Sequence, residues 1–185
     1  MNIQTPTLLS DFKAILKLVE DNLAYDQNFN FELLTSLPVG CVLIAEEDDK
    51  VVGVLVQRSP GQVFTEIDEE WFSLDQIDLA KEKIGFIEAV VVDPAFQRKK
   101  IGQKLLAEAL KYQKDFGSQA VLTLAWQSSR DHASEKLFTA AGFSPLEIKK
   151  EMMKEYSLSL GKKGYRCSHC GNPCHCDSLE MIKYL

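Results

Sequence analysis

Apolar positions recur along this chain with two periods, and the switches between them mark out the elements. Phe12, Ile15, Leu16, Val19 and Leu23 fall three or four residues apart, the spacing of one helix face, with Ser10 or Asp11 placed to cap its start. A short strand around Ile3 precedes that helix, and a shorter helix over 31–37 ends at Pro38 and Gly40. Residues 41–45 and 51–57 read as two strands joined by the charged turn EEDDK, with Gly53 marking a bulge. Residues 84–92 are nearly all apolar and rich in Val, as suits a strand buried on both faces; Asp93-Pro94 stops it because proline has no N–H for the ladder. From about Lys99, helical steps return at Ile101, Leu105, Leu106, Ala109, Leu110 and Phe116. Residues 120–125 then predict a strand parallel to 84–92, reached by a right-handed crossover through that helix. A further helix stops at Gly142, and a strand around 152–158 closes the set. The fold class expected is α/β (α+β), a mixed central sheet flanked by helices.

The 185 residues, 45% hydrophobic, suffice for one core and a short appendage. A formal charge of −6 argues against a nucleic-acid footprint. No apolar run approaches the length of a membrane span, and MNIQTPTLLSDF lacks the layout of a signal peptide, so a cytoplasmic protein with no membrane partner is expected. A homodimer stays open. Between 59 and 83 the pattern breaks, and TEIDEEWFSLDQIDLAKEK reads either as a solvated acidic loop or short helix, or as an acidic lip that concentrates a cationic amine. Cys41, among apolar neighbours, reads as a small core residue.

The stretch FIEAVVVDPAFQRKKIGQKLL, from Phe86 to Leu106, is a strand, a turn and the opening of a helix. The first N–H groups of a helix lack intrahelical partners and sit at the positive end of its dipole, and here Arg98, Lys99 and Lys100 crowd the same turn, which makes an anion site. The run PAFQRKKIGQKLL resembles the signature of the GNAT N-acetyltransferases: Gln or Arg, two residues, Gly, one residue, then Gly or Ala. Gln97 and Gly102 match the outer positions, and Lys100 stands where the family usually has its first Gly, with helical dihedrals expected of it. DHASEKLFTAAGFSPL resembles the second signature, with Asp131 at the usual Asn, Ser134 at a small position, Phe138 at the aromatic, and Gly142-Phe143. The resemblance covers 1–158, expected to be a GNAT domain, and leaves 159–185 as a Cys-rich tail.

That resemblance implies the GNAT acyltransferase fold and transfer of acetyl from acetyl-CoA to an amine of a small molecule, peptide or protein. It implies two helices, over 11–23 and 31–37, walling the acceptor groove, and two parallel strands that part so that backbone groups of Val90, Val91 and Val92 meet the pantetheine arm. Gln97, Arg98, Lys99, Lys100, Ile101, Gly102 and Gln103 would hold the pyrophosphate, with Asp131 and Phe138 also beside the coenzyme. The usual aromatic is a Tyr that protonates the departing thiolate, and Phe138 has no proton to give. Water, Tyr112 or Tyr156 is left for that task. A primary amine with a pKa near ~10.4 costs about 4 to 5 kcal/mol to present as free base at pH 7, so a proton acceptor is needed. Glu88 lies two and four residues before Val90 and Val92 and shares their face by the two-residue period, and diamine acetyltransferases have a glutamate at the matching point. The other reading of Glu88 is a strand glutamate paired with a Lys or Arg. An N–H near Val91 would hold the developing oxyanion.

The tail carries Cys167, Cys170, Cys174 and Cys176, a C-x2-C-x3-C-x-C cluster interleaved with His169 and His175. In a reducing compartment thiols so close together read as metal ligands, and zinc suits four thiolates; an iron-sulfur cluster or a redox-labile tail without metal are the other readings. Two other functions stay open: a catalytically weak acetyl-CoA-binding module, since Phe138 replaces Tyr, and an adaptor acting through a zinc-binding tail.

Overall fold

The structure is a computed structural model, and it describes residues 1–66, 69–127 and 132–185. Its strands are β1 (Asn2–Gln4), β2 (Ala24–Asp26), β3 (Val42–Glu47), β4 (Lys50–Arg58), β5 (Ile84–Val92), β6 (Ala120–Trp126), β7 (Ser144–Lys149), β8 (Tyr165–Cys167) and β9 (Ser178–Tyr184). The α-helices are α1 (Leu9–Asn22), α2 (Phe31–Ser36), α3 (Val63–Glu66), α4 (Ile101–Asp115), α5 (Ala133–Ala140) and α6 (Lys154–Gly164). The first two helices start where side chains can serve orphan amides. Asp11 takes the N–H groups of Thr7 and Leu8, each at 2.9 Å, and the Asn30 carboxamide takes the N–H of Leu33 at 3.0 Å.

Seven strands form the main sheet in the order β1-β3-β4-β5-β6-β9-β7, with β5 and β6 parallel and every other neighbouring pair antiparallel. Strand periodicity divides the core. On one face Ile15, Val19 and Leu34 of α1 and α2 pack on Ile44, Val54, Val56 and Val91. On the other, Ile101, Leu105, Leu106 and Ala109 of α4 and Phe138 of α5 pack on Leu43, Leu55, Ile87, Val121 and Met181. Each such side chain contributes roughly 1.5–3 kcal/mol by leaving water. Gly53 admits α4 to the sheet: a Cβ there would lie 3.1 Å from both Ile101 and Leu105. The bulge expected at Gly53 falls on its neighbour, since Ala45 pairs with Gly53 and Glu46 with Val51, leaving Val52 as the extra residue.

Segment 59–83 is more than a solvated acidic loop. Val63, Phe64, Phe72 and Ile77 are buried against Ile84, Phe86, Leu122 and Ile182, while Glu69, Glu70, Asp75 and Asp78 stay exposed.

The C-terminal third departs from expectation. The strand expected around 152–158 is mostly helix, because Met153, Tyr156 and Leu160 recur at helical steps and pack on Tyr165 and the cysteines. The seventh strand is β9, at the chain's end, and it lies between β6 and β7 with seven register pairs from Ala120–Tyr184 to Trp126–Ser178. The boundary expected at 158 therefore coincides with no break in the sheet. Leu179 and Met181 face the α4 side, whereas fully buried Glu180 faces segment 59–83, accepting the Ser73 N–H at 3.0 Å and hydroxyl at 2.6 Å, with Lys149 Nζ at 3.5 Å.

Candidate active site and thiolate cluster

The turn after β5 is shaped for an anion, with one difference from the sequence reading. Asp93 accepts the Ala95 N–H at 2.8 Å and Gln97 donates its amide to the Val92 carbonyl at 3.2 Å, tying the turn to the strand end. The helix begins at Ile101, not at Lys99. Lys100 is its N-cap in the left-handed region, φ 63° and ψ 19°, and Arg98 has φ 66°. Helical dihedrals for Lys100 are thus overturned: the family's usual glycine marks a left-handed position, which this chain fills with lysine at some strain. Left-handed residues among right-handed ones bring backbone amides round to one concave side, here just ahead of the orphan N–H groups of Ile101, Gly102 and Gln103. Arg98, Lys99 and Lys100 are exposed around it, Lys99 reaching 3.4 Å from Glu47 and lying over the Phe96 ring. A phosphate-bearing ligand fits this donor set.

The parallel ladder runs from Ile84–Ala120 only to Ile87–Thr123; beyond it β6 remains paired with β9 and β5 with β4. Among the described residues, the β6-side edge of Val90 to Val92 has no ladder partner, leaving a gap that an amide-bearing ligand could complete. At that point Val56 pairs with Ala89 and Gln57 with Ile87, so Glu88 is the extra residue of a β-bulge. The bulge overturns the predicted face. Val90 and Val92 pack with the α4-side core, whereas Glu88, with Phe86 and Ala89, lines a cavity of about 500 Å³ on the α1 side. Arg58 Nη2 lies 2.9 Å from the Glu88 carboxylate, Arg58 being only 4% exposed, so the ion-pair reading of Glu88 is present in the structure.

Val19 of α1, Leu23 at its C-cap and Leu33 of α2 form one wall of the cavity; Trp71, Leu124, Trp126, Met152 and Met153 make much of the rest. Asp26 and Tyr156 bring polar atoms to it. Tyr156 donates its hydroxyl to Asp26 at 2.8 Å and accepts from the Asn28 amide at 3.0 Å. Burial is the largest cause that pushes its pKa up to about 12, and the Asp26 and Glu88 charges act the same way, against the Asn28 hydrogen bond. The other candidate tyrosine, Tyr112, packs on Gly40 and tilts over Phe116, and it takes no part in the cavity lining. Phe138 is buried against Phe143 with ring centroids 5.2 Å apart, and Ser134 donates to the Trp126 carbonyl at 2.9 Å. Gly142, φ 86°, ends α5 as expected. Asp131 lies outside the described residues.

The four tail cysteines converge: their sulfurs all lie within 4.8 Å of one another, with separations of 3.7 Å (Cys167 to Cys176), 3.8 Å (Cys170 to Cys174) and 3.4 Å (Cys170 to Cys176). Cys167, Cys174 and Cys176 are buried and also line the cavity that holds Glu88, and Cys170 is exposed. The contact with Cys174 holds the Cys167 thiol well below its ordinary range, and the same contact, with burial, pushes Cys174 up. Four thiols so packed cannot all ionise without a cation. Tyr156 was one of the candidates the sequence offered, but neither Asp26 nor the shared wall was legible there, because β2, α6 and β8 come together through the β2–β8 pairing.

The family model of the GNAT acetyltransferases matches residues 8–143. The chain belongs to the GNAT acetyltransferase family. Membership makes it an acetyl-CoA-dependent acetyltransferase. Among solved structures, the chain is similar to ribosomal-protein-alanine N-acetyltransferase of Brucella melitensis (19% identity, 100% of each chain covered, TM-score 0.65). It is also similar to Chaetomium thermophilum Naa20 in complex with a bisubstrate analogue (16%, 100% of this chain and 87% of that one, TM-score 0.69). A third is yncA of Salmonella typhimurium with acetyl-CoA (19%, 100% and 94%, TM-score 0.64). At such identities these likenesses establish the GNAT fold alone. No curated protein sequence matches the chain. Among the described residues, no helix is long and apolar enough to cross a membrane.

Proposed function

We propose that this GNAT enzyme acetylates a primary amine carried on an apolar or aromatic body, which enters the cavity between α1, segment 59–83 and α6. The observation that carries this reading is the bulge at Glu88, which aims a carboxylate into that cavity where β5 and β6 part. The coenzyme's phosphates lie on the α4 turn, held by the amides of residues 101–103 with Gln97, Arg98, Lys99 and Lys100 around them, and its pantetheine amides meet the edge of Val90 to Val92. Glu88 accepts the ammonium proton directly or through one water, within its ion pair to Arg58. The freed amine attacks the thioester carbonyl, and a backbone N–H on the open edge beside Val91, at Val90 or Val92, stabilises the oxyanion. Tyr156, neutral well above pH 7, supplies the proton for the departing thiolate in place of the hydroxyl that Phe138 lacks. Asp26 and Glu88 attract the cation, and the walls of Trp71, Phe86 and Trp126 favour apolar bodies.

The second reading, a coenzyme-binding module with little turnover, draws on the Glu88–Arg58 pair and on Phe138. Release of coenzyme A thiol, assayed across polyamines, aminoglycosides, amino acids and peptide N-termini, separates the two. Amine-dependent release supports transfer, whereas acetyl-CoA binding with no release from any amine supports the module. A zinc ion held by Cys167, Cys170, Cys174 and Cys176 belongs to the same proposal. A Zn–S bond of about 2.3 Å sets the sulfur-to-sulfur edge of a tetrahedron near ~3.8 Å. Three of the six separations, 3.4, 3.7 and 3.8 Å, lie at or just below that value, and all six are within 4.8 Å.

A further inference from the structure

The thiolate cluster is at once a candidate metal centre and part of the acceptor cavity's wall. Cys167 ends β8, which pairs with β2 in a two-stranded ribbon, three residues against three, and so short a ribbon is marginal without a staple. Cys176 stands two residues before β9, which lies between β6 and β7 in the main sheet. The cluster therefore joins a ribbon at the cavity's rim to the central sheet. Its backbone is arranged as thiolate ligands require. Cys167 and Gly171 exchange N–H to carbonyl bonds at 2.9 and 3.0 Å, and the N–H groups of His169 and His175 point at the sulfurs of Cys167 and Cys170, at 3.4 and 3.3 Å. Asn172 donates to the carbonyls of Ser157 and Tyr165, and Ser157 accepts the N–H of Cys174, which fixes α6, and with it Tyr156, to the same loop. Ser168 donates through both N–H and hydroxyl to the Leu23 carbonyl at the end of α1.

We infer that one zinc ion, held as a closed four-thiolate site, fastens the acceptor wall, so that metal occupancy governs the acceptor half of the enzyme and leaves the coenzyme half intact. The zinc assignment stands on the sulfur geometry alone; the coupling to acceptor binding rests on the cavity being the acceptor site. The two halves are built on different elements. The anion turn hangs on β5 and α4, whose core of Ile101, Leu105 and Leu106 makes no use of the cluster. The wall that carries Asp26, Tyr156 and Tyr165 hangs on β2, α6 and β8. Both tryptophans, Trp71 and Trp126, line the cavity, and Trp126 meets His169 edge-on at 6.1 Å, so intrinsic fluorescence reports on the wall.

The experiment uses the full chain, prepared under reducing conditions with zinc supplied. Elemental analysis should give about one zinc per chain. Chelation should change the tryptophan emission and raise amide exchange across 23–29 and 165–176 by at least roughly tenfold, reversed by added zinc, while 101–115 stays protected and acetyl-CoA still raises the melting temperature. Cys170→Ser, which alters the exposed ligand and none of the cavity lining, should reproduce the chelated state. Absence of zinc, or iron in its place, overturns the metal assignment. Zinc whose removal leaves emission and exchange unchanged overturns the coupling alone, as does chelation that also abolishes the acetyl-CoA shift. Should Cys170→Ser not fold, chelation and zinc return on the wild-type chain decide the same points.

Discussion

At the scale of single residues, the chemistry turns on positions that break a local rule. A strict two-residue period puts Glu88 with Val90 and Val92; the extra residue opposite Val56 and Gln57 turns it to the other face, and no composition signal in IGFIEAVVV announces that bulge. Lys100 breaks a rule too, since a β-carbon in the left-handed region costs roughly 1–2 kcal/mol. Lys100→Gly should therefore raise stability by about 1 kcal/mol in chemical denaturation, the relief of strain being partly offset by a looser unfolded chain. A destabilised variant would mean that the lysine's own contacts outweigh the strain. Tyr156 offers a pH signature. Its folded pKa of about 12 lies above the ordinary value of 10.0, so the folded state holds the proton more tightly than the unfolded chain. The stability this confers is complete below about pH 10 and is lost as pH rises through about 12. Wild-type stability should fall relative to Tyr156→Phe, which has no proton to release, as pH rises from about 10 through about 12; curves that run parallel throughout would remove the burial argument.

Among elements, those with long periodic patterns were legible. Helices α1, α2 and α4, the hairpin β3–β4 and the β5–β6 crossover stand where apolar spacing and Pro or Gly stops put them, because each packs one face on the sheet. The C-terminal end was not. In SLEMIKY the period-2 pattern is masked by Glu180, a buried carboxylate satisfied by Ser73 and Lys149 far away in sequence, and the cysteines draw the eye to an appendage. Ending the chain at residue 158 should therefore cost more than a tail: β6 and β7 lose the strand between them, and loss of the cooperative melting transition and of acetyl-CoA binding is expected. A cooperatively folded, coenzyme-binding 1–158 fragment would show that β9 is dispensable. For the anion turn, a β-carbon at Gly102 meets only Leu137 at 3.5 Å and Val92 at 3.8 Å, ordinary contacts. Gly102→Glu should thus fold yet lose the acetyl-CoA-induced rise in melting temperature, through charge rather than clash. An unchanged rise would place the phosphates elsewhere.

For the whole molecule, one sheet separates two kinds of chemistry. The basic turn follows the end of β5 beside α4, in a chain whose net charge is −6, and the cavity with Asp26 and Glu88 opens on the α1 side. In the reaction we propose, the gap beyond Ile87 and Thr123 is where a thioester on one side meets an amine on the other, with Glu88 as the residue that the bulge turns toward it. The most direct test is the pH dependence of amine-dependent thiol release from acetyl-CoA by wild type and Glu88→Gln, with whichever amine the wild type uses. Glutamine keeps the shape and removes the base, so turnover at pH 7 should fall by about 10² or more and recover in part as pH approaches the amine's own pKa, where free base needs no acceptor. A variant with wild-type turnover and an unchanged pH profile would contradict the account and leave Glu88 as the structural partner of Arg58.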